Sequence, residues 1–435
     1  MLLNRSIGVV RYGQQLAAGL GVCLLMISSA AVKASEGLTL AKAEQLALAM
    51  DNGVKQFTAQ SSMIEQESIA AGGWMDPKLS IGTMNLPGSD LDPLNQGMLE
   101  FKVEQMLPRG SSNRIQQNQL QLKKEAMDAA AENRLLLVRR DVRLAWYDVW
   151  YWQRAVGALT SDRDLYESLI AVTASMYSQG KKKQQEVYNA RVALARLDDQ
   201  ILSFSTSHAE SLARLNRWLG ESTVSLVSTE LPELLELPVG ALADTVEAIT
   251  FQHPLVRESE RVIEQTEQGV ALARERFKPQ FGIELAYGRE QGDMAMMGSG
   301  DDRNKYSLMV MMDLPLFTTN RQNRQLQASE YRKEAALSVR QELVRQLVGQ
   351  FNAEVARYQG LSKRLDHYTS SLLPDVERQA RAALTAYQSD TQDFNSVIQV
   401  YRTLLDSRLS YIRLQADIGQ SLARINYLMP GSDNQ

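Results

Sequence analysis

The residues with the clearest capacity for chemistry are methionines. Met294, Met296 and Met297 fall within four positions, and Met309, Met311 and Met312 follow shortly after. A thioether is a soft, neutral donor suited to Cu(I) or Ag(I), so Met294, Met296 and Met297 are the candidate metal ligands. The competing reading is adaptable filler. His208, His253 and His367 lie far apart in the chain, and the single cysteine is Cys23. His208 follows Phe204 in a helical seam and reads as a packed residue. No Gly-rich phosphate loop occurs. The expectation is therefore no catalytic residue, no cofactor and no enzyme activity. Trp146, Tyr147, Trp150, Tyr151 and Trp152 form an aromatic cluster suited to packing between helices. Lys181-Lys182-Lys183 is a solvated charge run able to steer an acidic partner.

The elements that must position these residues occur twice. Ser211-Leu212-Ala213-Arg214-Leu215-Asn216 recurs as Ser421-Leu422-Ala423-Arg424-Ile425-Asn426, 210 positions later. Leu107-Pro108 and Ser111-Ser112-Asn113-Arg114 recur as Leu314-Pro315 and Thr318-Thr319-Asn320-Arg321, 207 positions later; Pro279 follows Pro77 by 202. A kept order with a slowly drifting offset is a tandem duplication, far longer than a solenoid unit. The sequence divides into a leader over 1–34, a first repeat over 35–220, a linker over 221–241, a second repeat over 242–430 and a tail over 431–435. Each repeat reads as a short helical segment (about Thr39–Gly72, Leu242–Phe277), a β-hairpin (about 76–107, 279–314) and a long helical hairpin (about 112–219, 318–428).

From Arg114 to Tyr177 there is no proline and one glycine, Gly157, enough for about 95 Å of helix at about 1.5 Å per residue. Its partner, Gln184 to Leu219, spaces Val187, Ala190, Leu194, Leu197, Ile201 and Phe204 in steps of three and four, a coiled-coil seam. Ser111-Ser112-Asn113 and Thr318-Thr319-Asn320 suit helix N-caps.

The hairpins alternate with period two. Leu99, Phe101 and Val103 alternate with Glu100, Lys102 and Glu104; Ile283 and Leu285 alternate with Glu284 and Ala286; Leu308 and Val310 alternate with Met309 and Met311. One apolar and one polar face fit either a soluble sandwich or a transmembrane barrel, and the strands have about the 9–11 residues a tilted membrane strand needs. On the membrane reading Leu99, Phe101, Val103, Ile283, Leu285, Leu308 and Val310 face lipid. Four strands cannot close, and an open edge is forbidden in lipid, so copies must pool strands; three would give about twelve.

Residues 1–34 read as a signal peptide, with Arg5 and Arg11 ahead of an apolar stretch that exits at Val32-Lys33-Ala34. Cys23 sits inside that stretch after Val22, so a lipid anchor is not expected, and a mature chain would carry no disulfide. Loss of Arg5, Arg11 and Lys33 lowers Lys+Arg from 47 to 44 against 51 Asp+Glu, a net near −7, which argues against nucleic acid. No later stretch is apolar enough for a membrane-spanning helix.

Leu-Pro before each long helix, the arginines Arg114 and Arg321, the turn Tyr177-Ser178-Gln179-Gly180, and Leu373-Pro374 followed by Tyr387 together resemble the TolC family of outer-membrane efflux proteins, over about Leu38 to Pro430. The resemblance implies a mainly α chain with a small β part. Its tandem-duplicated helical hairpins would form a trimeric α-barrel in the periplasm. Its four strands would join a shared 12-stranded transmembrane β-barrel among outer-membrane lipid of a Gram-negative bacterium. It further implies a passive exit duct for tripartite efflux or type I secretion, partnered by a periplasmic adaptor and an inner-membrane pump of RND type. Metal-efflux branches of the family would give the methionines a cargo. By position, Gly180 and Asp390 occupy the two periplasmic tip turns, with Lys181 and Lys182 beside them as adaptor contacts. Asp390 stands where the family usually has glycine, and Asp tolerates a left-handed turn. Gate aspartates of some members are replaced by Ser396 and Gln399, leaving Asp393 as the candidate entrance-gate residue. The alternatives are a periplasmic adaptor, with one helical hairpin between soluble β-domains, and a structural coiled-coil protein.

Overall fold

The structure, a computed structural model, describes residues 37–85, 97–220, 224–232, 249, 251–291, 304–389 and 391–429. They belong to one compact unit, Gly37–Gln435. The leader 1–34, most of the linker, Asp390 and the loop carrying Met294, Met296 and Met297 lie outside the described residues.

The opening helical segment is two helices, α1 (Leu40–Met50) and α2 (Asn52–Gly72), because Asp51 stops one and caps the next. Its Oδ1 accepts from Val54 N at 2.8 Å, and Arg134 holds the carboxylate at 2.7 Å. Strands β1 (Lys78–Met84) and β2 (Gly97–Met106) follow, then α3 (Ser112–Ser178) and α4 (Gln184–Leu219). The second repeat supplies α5 (Pro254–Glu275), β3 (Gln280–Gln291), β4 (Asn304–Asp313) and α6 (Gln322–His367). A π-turn over Tyr368–Leu372 leads into α7 (Leu373–Gln388), and α8 (Phe394–Leu428) closes the described chain. The π-turn has a local cause. Pro374 has no N–H and its ring crowds the carbonyl four residues back, so the helix widens, with Leu373 N donating to Tyr368 O.

The expected N-caps are not the observed ones. Neither α3 nor α6 has a side-chain cap. Ser111 N donates to Glu275 Oε2 of the other repeat at 2.8 Å, and Asn113 donates to Gly73 O. A tertiary carboxylate replaces the local hydroxyl because Gly110, at φ +53°, brings the chain directly against Glu275.

Helix α3 packs against α2 and α5 near the sheet and against α4 and α8 further along. Trp146, Tyr147 and Trp150 lie in the core with Val138, Val142 and Leu215. Trp146 Nε1 donates to Leu38 O at 2.8 Å and Trp150 Nε1 to Thr229 O at 3.1 Å, so the aromatic cluster packs. Gly419 is required where Tyr147 crosses α8: a Cβ there would lie 2.2 Å from the ring. The seam residues Ala190 and Leu197 are buried in one cluster with Val397, Tyr401 and Leu404, and Val187 is buried as well. The described part of the linker is strapped down. Gln153 bonds both N and O of Val227 at 3.0 Å, and Asn216 does the same for Val224.

Candidate functional site: a two-faced sheet and a paired tip

All four strands form one antiparallel sheet in the order β1-β2-β3-β4. The repeats are therefore joined by β2 against β3, which the sequence presented as two separate hairpins. The register sets Leu79, Val103, Leu285 and Leu308 in one cross-strand row and Ile81, Phe101, Tyr287 and Tyr306 in the next. Leu99, Phe101, Val103, Ile283, Leu285, Leu308 and Val310 thus share one face. That face is uncovered: Leu308 is 68% exposed and Val310 66%. Phe101 stacks on Tyr287 with centroids 6.3 Å apart, and Tyr306 lies tilted against Tyr287 at 5.3 Å. The opposite face carries Glu100, Lys102, Glu104, Glu284, Glu290 and Lys305. Lys102 Nζ lies 3.1 Å from Glu100 and 3.9 Å from Glu284, and Lys305 pairs with Glu290. The outer edges of β1 and β4 have no strand beside them among the described residues.

Arg109 ties the end of β2 to the second repeat, donating to Asp313 at 2.5 Å, to Gln280 and to Arg276 O at 3.3 Å. The sheet is thereby fixed to the helices at the residues where each long hairpin begins.

At the far end of α3, Gly180 adopts φ +76°, Gly180 N donates to Tyr177 O and Lys181 N to Met176 O, both at 2.9 Å. The second turn repeats this closure with Thr391 N on Ala386 O at 2.9 Å, around Asp390, which is outside the described residues. The two turns of one chain are linked. Thr173 Oγ1 and Tyr387 Oη, both fully buried, are 2.8 Å apart. Asn189 donates to Asn395 at 3.3 Å. Lys182 reaches Gln392 O at 3.4 Å and lies 5.3 Å from the centre of the Tyr387 ring. Lys181 and Lys183 stay exposed. Asp393 caps α8, its Oδ1 accepting from Ser396 N at 2.7 Å; that backbone bond, with Ser396's side chain and nearby Lys182, holds its carboxyl below the usual range. Further along, Arg408 bridges Asp162 at 3.4 Å and Glu377 at 3.3 Å, and burial raises the Asp162 carboxyl against the pull of Arg408.

These contacts between the repeats link residues more than 160 positions apart, and no local pattern marks Thr173, Arg109 or Glu275. The duplication was the only available signal, since Tyr177 and Tyr387 occupy corresponding turns but bond differently. Among the described residues no cluster of three or more His, Cys, Asp or Glu is placed to hold a metal ion. His208 is half-buried and His253 fully buried, in separate parts of the fold.

A two-faced sheet with open edges, fixed to paired helical hairpins, is the geometry to be matched. Residues 247–430 match the family model for outer membrane efflux proteins. The matched segment is similar to an outer membrane efflux protein domain. This domain coincides with most of the second repeat, and structural similarity extends to the first. The outer-membrane channel OprN superposes over 90% of this chain and 90% of its own, with a TM-score of 0.76 at 17% identity. The Campylobacter jejuni CmeC outer membrane channel covers 90% and 85%, with a TM-score of 0.75 at 14% identity. The Vibrio cholerae outer membrane protein VceC covers 90% and 96%, with a TM-score of 0.74 at 15% identity. A sequence search of curated proteins finds no match. The chain thus has the fold of these channels across both repeats.

Proposed function

We propose that this protein is the outer-membrane exit duct of a tripartite efflux system. It conducts solute passively across the outer membrane and periplasm after delivery by an inner-membrane pump and a periplasmic adaptor. The observation that carries this reading is the uncovered apolar face of the open four-stranded sheet. In water such a face would be buried; in a bilayer it is the face that meets lipid. Strands β2, β3 and β4, of 10, 12 and 10 residues, reach across about 25–30 Å of hydrocarbon when tilted.

The unpaired edges require neighbours, since lipid leaves unpaired N–H and C=O groups unsatisfied. Three copies supply about twelve strands and close the sheet with cyclic symmetry. The polar face then lines water and the helical hairpins extend the tube. The tip turns at Gly180 and Asp390 meet the adaptor, with Lys181 as the outward cation. Lys182 and Asp393, engaged between the two turns, belong to the entrance and its gating rather than to steering. The chain performs no chemistry; energy enters at a pump of RND type.

The test is reconstitution. The purified mature chain should require detergent, migrate as a heat-modifiable trimer, and give discrete ion conductance in planar bilayers. A monomer that dissolves in plain buffer and leaves bilayers silent would overturn the reading.

A further inference from the structure

The polar face of the sheet is selective in its apolar side chains. Every one larger than alanine, among the described residues, is a methionine: Met84, Met98, Met106, Met309 and Met311. Leucine, isoleucine, valine, phenylalanine and tyrosine all go to the other face. Simple space-filling does not explain that choice, because aliphatic residues fill space equally well.

The ends of two of these side chains converge. Met106, Gly282 and Met311 stand in one cross-strand row. Met106 Sδ lies 2.6 Å from where a Cβ on Gly282 would be, and the Met311 methyl 3.3 Å from it. Glycine in mid-strand weakens a sheet and often marks close approach; here it leaves room for the Met106 sulfur and the Met311 methyl over the same backbone. One step along this face, Glu104 and Glu284 are directly opposite each other. Facing like charges are unfavourable, and Lys102 reaches Glu284 only from 3.9 Å while pairing more closely with Glu100 at 3.1 Å. A cation relieves that repulsion, and thioethers select a soft one.

We propose that Met106 and Met311, seated over Gly282 beside the Glu104–Glu284 pair, form a subsite for a soft monovalent cation, Cu(I) or Ag(I). The inference rests on the duct reading insofar as this face must be wet. Soft metal cations then join the cargo that traverses the duct, with the subsite as a transient stop.

Silver nitrate in chloride-free buffer is the probe, used on the full mature chain in detergent. Met294, Met296 and Met297 are replaced by leucine so that loop thioethers do not mask the count. Bound silver is measured by mass spectrometry across a titration, beside potassium conductance in bilayers. M106L/M311L should weaken silver binding by more than about tenfold, the scale of losing a metal-site contact. M312L, on the apolar face, should leave binding unchanged, and potassium conductance should persist in all variants. Equal silver binding by the parent and M106L/M311L, or none by the parent, overturns the subsite. Failure of the duct reading would look different: no potassium current, with the silver difference intact.

Discussion

Leu215 and Leu308 carry the same side chain. The helical body removes the first from solvent entirely, whereas the sheet leaves 68% of the second uncovered. Full burial of a leucine is worth about 1.5–3 kcal/mol in water, so on the proposed duct reading the two regions face different solvents. The helical body has an ordinary aqueous economy: Trp146, Val138, Leu215 and Leu219 are sealed, and the indole N–H finds Leu38 O. The sheet reverses it, with charges and most of its thioethers on one face and aliphatic and aromatic residues exposed on the other. The difference teaches that exposure alone is no sign of a defect; it names the medium.

The comparison can be broken or sharpened by substitution. The largest effect belongs to the body: Trp146→Ala should cost about 3–5 kcal/mol through the cavity it leaves, seen as an early denaturant midpoint by circular dichroism in detergent. A midpoint unchanged from the parent would mean the helical core is not where stability resides. Next, Val310→Lys or Val103→Lys should oppose insertion by about 2–4 kcal/mol at mid-bilayer, read as lost trimer in the membrane fraction, with the helical signal of the solubilised chain kept. Normal assembly of both would erase the contrast between the regions.

A third test uses pH and concerns the body alone. Burial lowers His253 from 6.5 to about 4, and its Nδ1 accepts from Leu255 N at 3.2 Å to cap α5. The unfolded chain takes up this proton near pH 6.5 while the folded chain refuses it until about pH 4. Stability is therefore full above pH 6.5, falls between those values by up to about 3 kcal/mol, and then levels. His253→Asn retains a cap and should flatten that part of the stability curve; an unaltered slope would assign it to other groups. The smallest effect is expected at the tip. Tyr387→Phe removes the hydroxyl facing Thr173 and should cost about 1 kcal/mol. If the two turns hold each other closed, it should also raise the open fraction in single-channel recordings; unchanged gating would make that bond purely structural.

Much of this was legible before any coordinates. The second helix of the first hairpin was readable from Gln184 to Leu219 because its apolar spacing holds without Gly or Pro, and α4 has those bounds. Period-two alternation separated the faces of β2, β3 and β4. Local signals misled where tertiary groups compete with them. Ser111 and Asn113 resembled caps, but Glu275 lay within reach of Ser111 N. Asp51 divided a segment that hydropathy alone presented as continuous.

The sequence by itself determined the duplication, the long helices and the two-faced strands, because periodicity and repetition are properties of neighbours along the chain. Only the tertiary structure decided that β2 pairs with β3, that Tyr387 meets Thr173, and that Met106 and Met311 lie over one glycine. Those contacts join residues about 200 positions apart, whose proximity is fixed by how two repeats pack and not by anything either repeat encodes alone.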